Sequence, residues 1–137
     1  MRRQSTTFYL ALLGDWNAKI SACHVCYAHD KRTHENGTRL VDLACEKSLC
    51  ITNTMFEKRM GKRWTFEDPK RDRYKLDYIL VNYIWKNSVL NSEAYSSFES
   101  IGSDHRIVTA KIRISLIIIF VKSFYIFKII CNVSKEI

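Results

Sequence analysis

Tyr74-Lys75-Leu76-Asp77-Tyr78-Ile79-Leu80-Val81 is the stretch on which the fold turns. Tyr74, Leu76, Tyr78 and Leu80 alternate with Lys75, Asp77, Ile79 and Val81, and a period of two sends successive side chains to opposite faces of a strand. Asp77 therefore lies on the face away from the tyrosines. Asp68-Pro69 upstream is a turn signal, so Arg63 to Glu67 and Tyr74 to Val81 read as the arms of a hairpin with a long connection. Thr7 to Leu13 is a continuous apolar run, expected of a strand buried on both faces. Gly14 then permits a sharp exit that presents Asp15 and Asn17 at the strand's end.

Between these strands, residues 19 to 35 read as a polar loop. Asn36 is the expected N-cap of a helix of about three turns, with Leu40, Leu43, Ala44 and Lys47 at helical spacing. Leu49 to Thr54 and Ser88 to Tyr95 are further candidate strands. Arg106 to Ile114 alternates, with Val108, Ala110, Ile112 and Ile114 on one face and Thr109, Lys111 and Arg113 on the other. The sum is an α+β pattern of short strands with no internal repeat.

A chain of 137 residues with 47% hydrophobic content has the means for one domain with a core, and composition excludes wholesale disorder. A net charge of +8 and a pI near 9.4 favour polyanionic partners, nucleic acid or an acidic membrane surface. The charge is uneven: Lys58, Arg59, Lys62, Arg63, Lys70, Arg71, Arg73 and Lys75 precede Asp77, which points to nucleic acid over a generic solvated face. Five cysteines with no cleavable leader pattern after Met1 predict free thiols in a reducing compartment. Cys23-His24-Val25-Cys26 followed by His29 and His34 supplies zinc-type ligands, but the pairs sit too close for a finger, and solvated loop residues are the expectation.

Three strand-end motifs carry chemistry: Gly14-Asp15-Trp16-Asn17-Ala18, Lys75-Leu76-Asp77-Tyr78-Ile79-Leu80, and Gly102-Ser103-Asp104-His105. Any one of these polar residues alone is explained by a turn or a surface charge; the ordered set is specific. Phosphodiester hydrolysis needs an activated water, a cation on the phosphate, and donors where charge builds on oxygen. Asp104 is suited to a Mg²⁺ shell of oxygens and waters. His105 is suited to donate to a non-bridging oxygen, with Asp77 as the carboxylate that holds its tautomer. Asp15 is placed to orient or deprotonate the attacking water, and Asn17 to offer its amide to the phosphate or the metal shell. Trp16 and Trp64 read mainly as packing residues, although Trp64, opening a strand in the basic region, also has a ring suited to stacking on a base.

In these motifs the chain resembles the C-terminal half of the endonuclease/exonuclease/phosphatase superfamily over residues 5–116. Within it, the chain looks most like the endonuclease domains of non-LTR retrotransposons and the domesticated craniofacial development protein 2-like group. The resemblance implies a partial two-sheet β-sandwich with flanking helices, deoxyribonuclease I-like, and a Mg²⁺-dependent (or Mn²⁺-dependent) DNA endonuclease of nuclear or cytoplasmic location. It implies catalytic roles for Asp15, Asn17, Asp77 and His105, with Asp77 paired to His105, and a metal role for Asp104. Nucleic-acid contacts are expected from Lys62, Arg63, Trp64, Arg71 and Arg73. The family's first half, with its early Asn and metal-binding Glu, has no counterpart in the 13 residues before Gly14. The chain is therefore expected to be incomplete or inactive alone, with a non-catalytic nucleic-acid-binding fragment as the alternative. Its inner sheet face and one edge are expected to lack cover. Tight Mg²⁺ binding by the chain alone would need another carboxylate, with Glu93 and Glu99 as candidates.

Residues 117–137 depart from the family pattern. The run 117–130 approaches the length of a membrane span, but Lys122 and Lys128 interrupt it, at about 2.5–3.5 kcal/mol for a lysine near a bilayer centre. A strand-prone hydrophobic extension is the expectation, and membrane contact, if any, runs through this tail.

Overall fold

The computed structural model describes residues 8–95, 102–118 and 121–131, with side-chain surroundings up to Ile114. Glu99, named above, lies outside the described residues. Strands β1 (Ala11–Asp15), β2 (Leu49–Ile51), β3 (Phe66–Glu67), β4 (Arg73–Tyr74), β5 (Asp77–Asn82), β6 (Val89–Tyr95), β7 (Ile107–Ile118) and β8 (Val121–Cys131) and one helix, α1 (Glu35–Glu46), occur in that chain order around the helix between β1 and β2. They form an antiparallel sheet ordered β1-β5-β2, the two-stranded ribbon β3-β4, and a sheet ordered β6-β7-β8.

β5 is the hub because both of its alternating faces are apolar. Tyr78 and Leu80 join Ile51, Leu49, Ala18 and Ile20 beneath Leu40 and Ala44 of α1. Ile79 and Val81 pack on the other side against Val89, Val108, Ala110 and Ile112. Asp77 shares that second face, as alternation requires. β6 and β7 therefore cover the inner face of the β1-β5-β2 sheet from within the same chain, where the sequence pointed to an uncovered face. The alternation in β7 explains it: Val108, Ala110 and Ile112 are buried while Lys111 and Arg113 are exposed.

Several local expectations shift. β1 is the outer strand of its sheet and only half-buried, with Phe8 and Leu10 exposed; a continuous apolar run does not guarantee two covered faces. The chain turns at Asn17, which holds the left-handed φ of 44°, and not at Gly14, which is part of β1. His34, not Asn36, caps α1, its Nδ1 accepting from the Gly37 amide at 3.2 Å. Gly37 is required there, since a Cβ would fall 1.9 Å from the Lys19 carbonyl oxygen. The proposed hairpin shrinks to the β3-β4 ribbon, because β5 leaves it to pair with β1 and β2. Leu49 to Thr54 is a strand only to Ile51, followed by a 3-10 turn over Thr52–Thr54. The segment after residue 118 returns as β8, in register with β7 from Ile118 opposite Val121 to Val108 opposite Cys131. No helix among the described residues is long and apolar enough to cross a membrane.

Candidate active site

The ends of β1 and β5 bring two carboxylates face to face. Asp15 and Asp77 are register partners across the antiparallel pair, so their side chains share a face. The pairing continues one step further, with the Trp16 amide donating to the Leu76 carbonyl at 3.0 Å and the Trp16 indole to the Tyr78 carbonyl at 3.1 Å. Trp16 thus packs beneath the loop, half-buried against the α1-side core. The Asn17 amide donates to Asp15 Oδ1 at 2.8 Å, closing a tight turn around the carboxylate.

His105 arrives from the third motif. The segment before β7 zips onto the β3-β4 ribbon: the Glu67 amide donates to the Asp104 carbonyl at 3.0 Å and the Arg106 amide to the Thr65 carbonyl at 2.7 Å. The His105 ring lies 4.9 Å from that of Phe66. Its Nδ1 is 3.0 Å from Asp77 Oδ2 and its Nε2 is 3.9 Å from Asp15 Oδ2. The Asp77 hydrogen bond, helped by the charges of Asp77, Asp15 and Asp104 and opposed by burial, raises the His105 pKa above its usual 6.5.

Two uncharged residues that the sequence gave no reason to single out hold Asp77 in place. Thr65 Oγ1 accepts from the amides of Leu76 at 2.9 Å and Asp77 at 3.1 Å. Asn53 donates to the Asp77 carbonyl at 2.9 Å and accepts from the Ile79 amide at 3.3 Å. Both are buried. A buried Thr or Asn amid apolar strands is the only signal that marks them.

The basic cluster divides on folding. Lys75 is buried, its Nζ donating to the carbonyls of Asn53 at 2.9 Å and Tyr27 at 3.3 Å, so it belongs to the interior and not to a nucleic-acid face. Desolvation lowers its pKa to about 8. Lys58 and Lys62 pair with Glu93 at 3.2 and 3.1 Å, which commits Glu93 away from the candidate site. Arg63 turns back on the Lys58 carbonyl. Trp64 is only 5% exposed, with the guanidinium groups of Arg106 and Arg73 3.2 and 4.6 Å from its ring centre; the indole supports two cations here. Arg71 and Arg73 do reach the site: with Trp64, Asp104, His105 and Arg106 they wall a cleft of about 470 Å³. Lys62 and Arg63 are not among its walls.

Ligand atoms of Asp15, Asp77 and His105 lie within 4.8 Å of one another, yet the set does not fit Mg²⁺. Its nitrogen member is hydrogen-bonded to Asp77 through Nδ1, and Mg²⁺ asks for near-octahedral oxygen ligands. Asp104 is exposed in the cleft, while Glu67 beside it is paired with Arg73 at 2.7 Å. The described residues therefore do not complete an oxygen cage. They do place Asp77 at one ring nitrogen of His105 and Asp15 beside the other, with Arg71, Arg73 and Arg106 in the walls of the cleft.

The fold and this cluster define a small α+β domain with an Asp–His–Asp constellation at a strand end. In sequence the chain is similar to craniofacial development protein 2 of Bos taurus, 32% identical over 115 residues, covering 80% of this chain and 19% of the relative. It is equally similar to craniofacial development protein 2 of Tragulus javanicus, 32% identical over 115 residues, covering 80% of this chain and 20% of the relative. The chain thus spans about a fifth of the length of these curated relatives. No family model matches, and no solved structure matches.

Proposed function

We propose that this chain carries the proton-handling part of a metal-dependent phosphodiesterase site, of retrotransposon-endonuclease type, whose substrate is DNA. The observation that carries the reading is the His105 imidazole bound to buried Asp77 through Nδ1 and facing Asp15 through Nε2. Asp77 fixes the tautomer and favours the imidazolium, leaving Nε2–H to donate to a non-bridging phosphate oxygen as charge builds there. Asp15, held by the Asn17 amide, is the base beside it for a water. Arg71 and Arg73 at the cleft mouth suit a phosphate by charge. Mg²⁺, when held, would polarise the phosphoryl oxygen; Asp104 is this chain's contribution, and the remaining oxygen ligands come from outside the described residues.

Purified chain, alone and mixed with a homologous N-terminal half of a deoxyribonuclease I-like domain, is incubated with supercoiled plasmid and Mg²⁺. The mixture nicks the plasmid, and His105→Ala or Asp77→Ala in this chain abolishes nicking. A mixture that does not nick, or that nicks equally well with either variant, removes the proposal.

A further inference from the structure

A second cleft, of about 560 Å³, opens between the 19–32 loop and β4 and is not used by the chemistry above. Its walls include Lys19, Lys31, Arg32, Arg73 and Tyr74. Arg73 also lines the cleft that holds His105, so a single guanidinium joins the two spaces. Arg73 is held by Glu67 at 2.7 Å, and the remaining cations, Lys19, Lys31 and Arg32, outnumber the two carboxylates in the walls, Asp30 and Asp72. Asp30 is turned inward, accepting from the Lys75 amide at 3.1 Å, and burial raises its pKa. Lys19 sits 3.3 Å from the Tyr74 ring centre and is braced there. Lys31 and Arg32 differ from the other cations: they are exposed and form no ion pair with another described residue.

Unpaired, exposed cations beside a fixed one, in a cleft that shares Arg73 with the His105 cleft, suit a repeating anion better than a single small one. We infer that the Lys19–Lys31–Arg32 cleft holds the phosphodiester backbone of the DNA strand flanking the phosphate at His105, with Arg73, held by Glu67, on the wall the two clefts share. This rests on the phosphodiester reading of the His105 site and assigns that site's strand its path.

Binding of a fluorescent duplex oligonucleotide to the full chain in EDTA, measured against salt, tests it without cleavage. Lys31→Ala/Arg32→Ala removes two phosphate contacts and lowers the slope of log K against log salt by about 1.8, at roughly 0.9 per contact. Lys111→Ala/Arg113→Ala, removing the same charge from exposed positions on β7, lowers it by less than half as much. Melting followed by circular dichroism verifies that each variant folds. An unchanged slope in the first variant, or equal losses in both, overturns the inference. His105→Ala separates the two readings: loss of cleavage with DNA affinity kept leaves both standing. A Lys31/Arg32 effect on binding with no cleavage by any mixture keeps the strand path and removes the catalytic reading.

Discussion

Asp15 and Asp77 face each other across β1 and β5, and His105 lies within ion-pair distance of both carboxylates. Like charges directly opposite on a sheet are destabilising, so a cation between them is favoured for stability as well as chemistry. His105 supplies it when protonated, and its pKa is raised accordingly.

The pH dependence of that pair has a definite sign. The folded His105 pKa lies above 6.5, so the native state holds this proton more tightly than the unfolded chain. Its stabilising contribution is fully present below pH 6.5 and is lost as pH rises through the folded value. Asp77→Asn removes a charge-assisted bond worth about 1.5–3 kcal/mol and flattens this dependence. Urea unfolding from pH 5.5 to 8 in metal-free buffer checks both; a wild-type profile no steeper than the variant's contradicts it.

Thr65→Val keeps the shape but deletes the acceptor of two buried amides. Each orphaned donor costs roughly 1–3 kcal/mol, so the substitution destabilises by about 2–6 kcal/mol in total, read from the urea midpoint at constant m-value. A loss under half a kcal/mol, on the order of an ordinary surface substitution, sinks the support role assigned to Thr65.

Asp77, His105 and Asp15 were legible because each sits in a short motif where a strand ends, and a strand's alternation alone puts Asp77 on the inner face. Thr65 and Asn53 were not, since an uncharged side chain serving another segment's backbone leaves no periodic trace. Lys75 was misread for a related reason. Among so many neighbouring cations it looks like surface, and only the carbonyls of Tyr27 and Asn53, 48 and 22 residues away, make its burial tolerable. The covering of β5 by β6 and β7 was half-legible: alternation gave the strands but not which sheet they would cover. The N-cap went to His34 because its ring nitrogen reaches the Gly37 amide, a role more often filled by Ser, Thr, Asp or Asn.

Buried Lys75 makes an opposite prediction. Its pKa falls from 10.5 to about 8, so between those values the unfolded chain binds more protons than the native one. Stability from this group therefore increases as pH rises from 8 toward 10.5, and the cost of burying the charge is complete below 8. Lys75→Met abolishes the rise. Chemical denaturation at pH 7.5 and 10 in both proteins measures it; a rise that persists in the variant assigns it to another group.

Mg²⁺ binding by the chain alone is weak, since Asp104 is the carboxylate the cleft offers and Mg²⁺ sheds water reluctantly. Titration calorimetry shows no saturating heat with the isolated chain and a saturating isotherm once the homologous N-terminal half is added. Stoichiometric binding by the 137 residues unaided means that a further carboxylate completes the cage.

In the proposed function His105 Nε2 meets a phosphodiester, and the His105 imidazole resonance reports that contact. The nuclear magnetic resonance signal is followed against pH in EDTA, with and without a phosphorothioate duplex that resists cleavage. DNA is expected to shift the His105 signal and move its midpoint further upward, as an added anion at Nε2 must, and Asp77→Asn to remove most of the upward displacement. DNA bound at saturation with the His105 resonance and midpoint unmoved contradicts it.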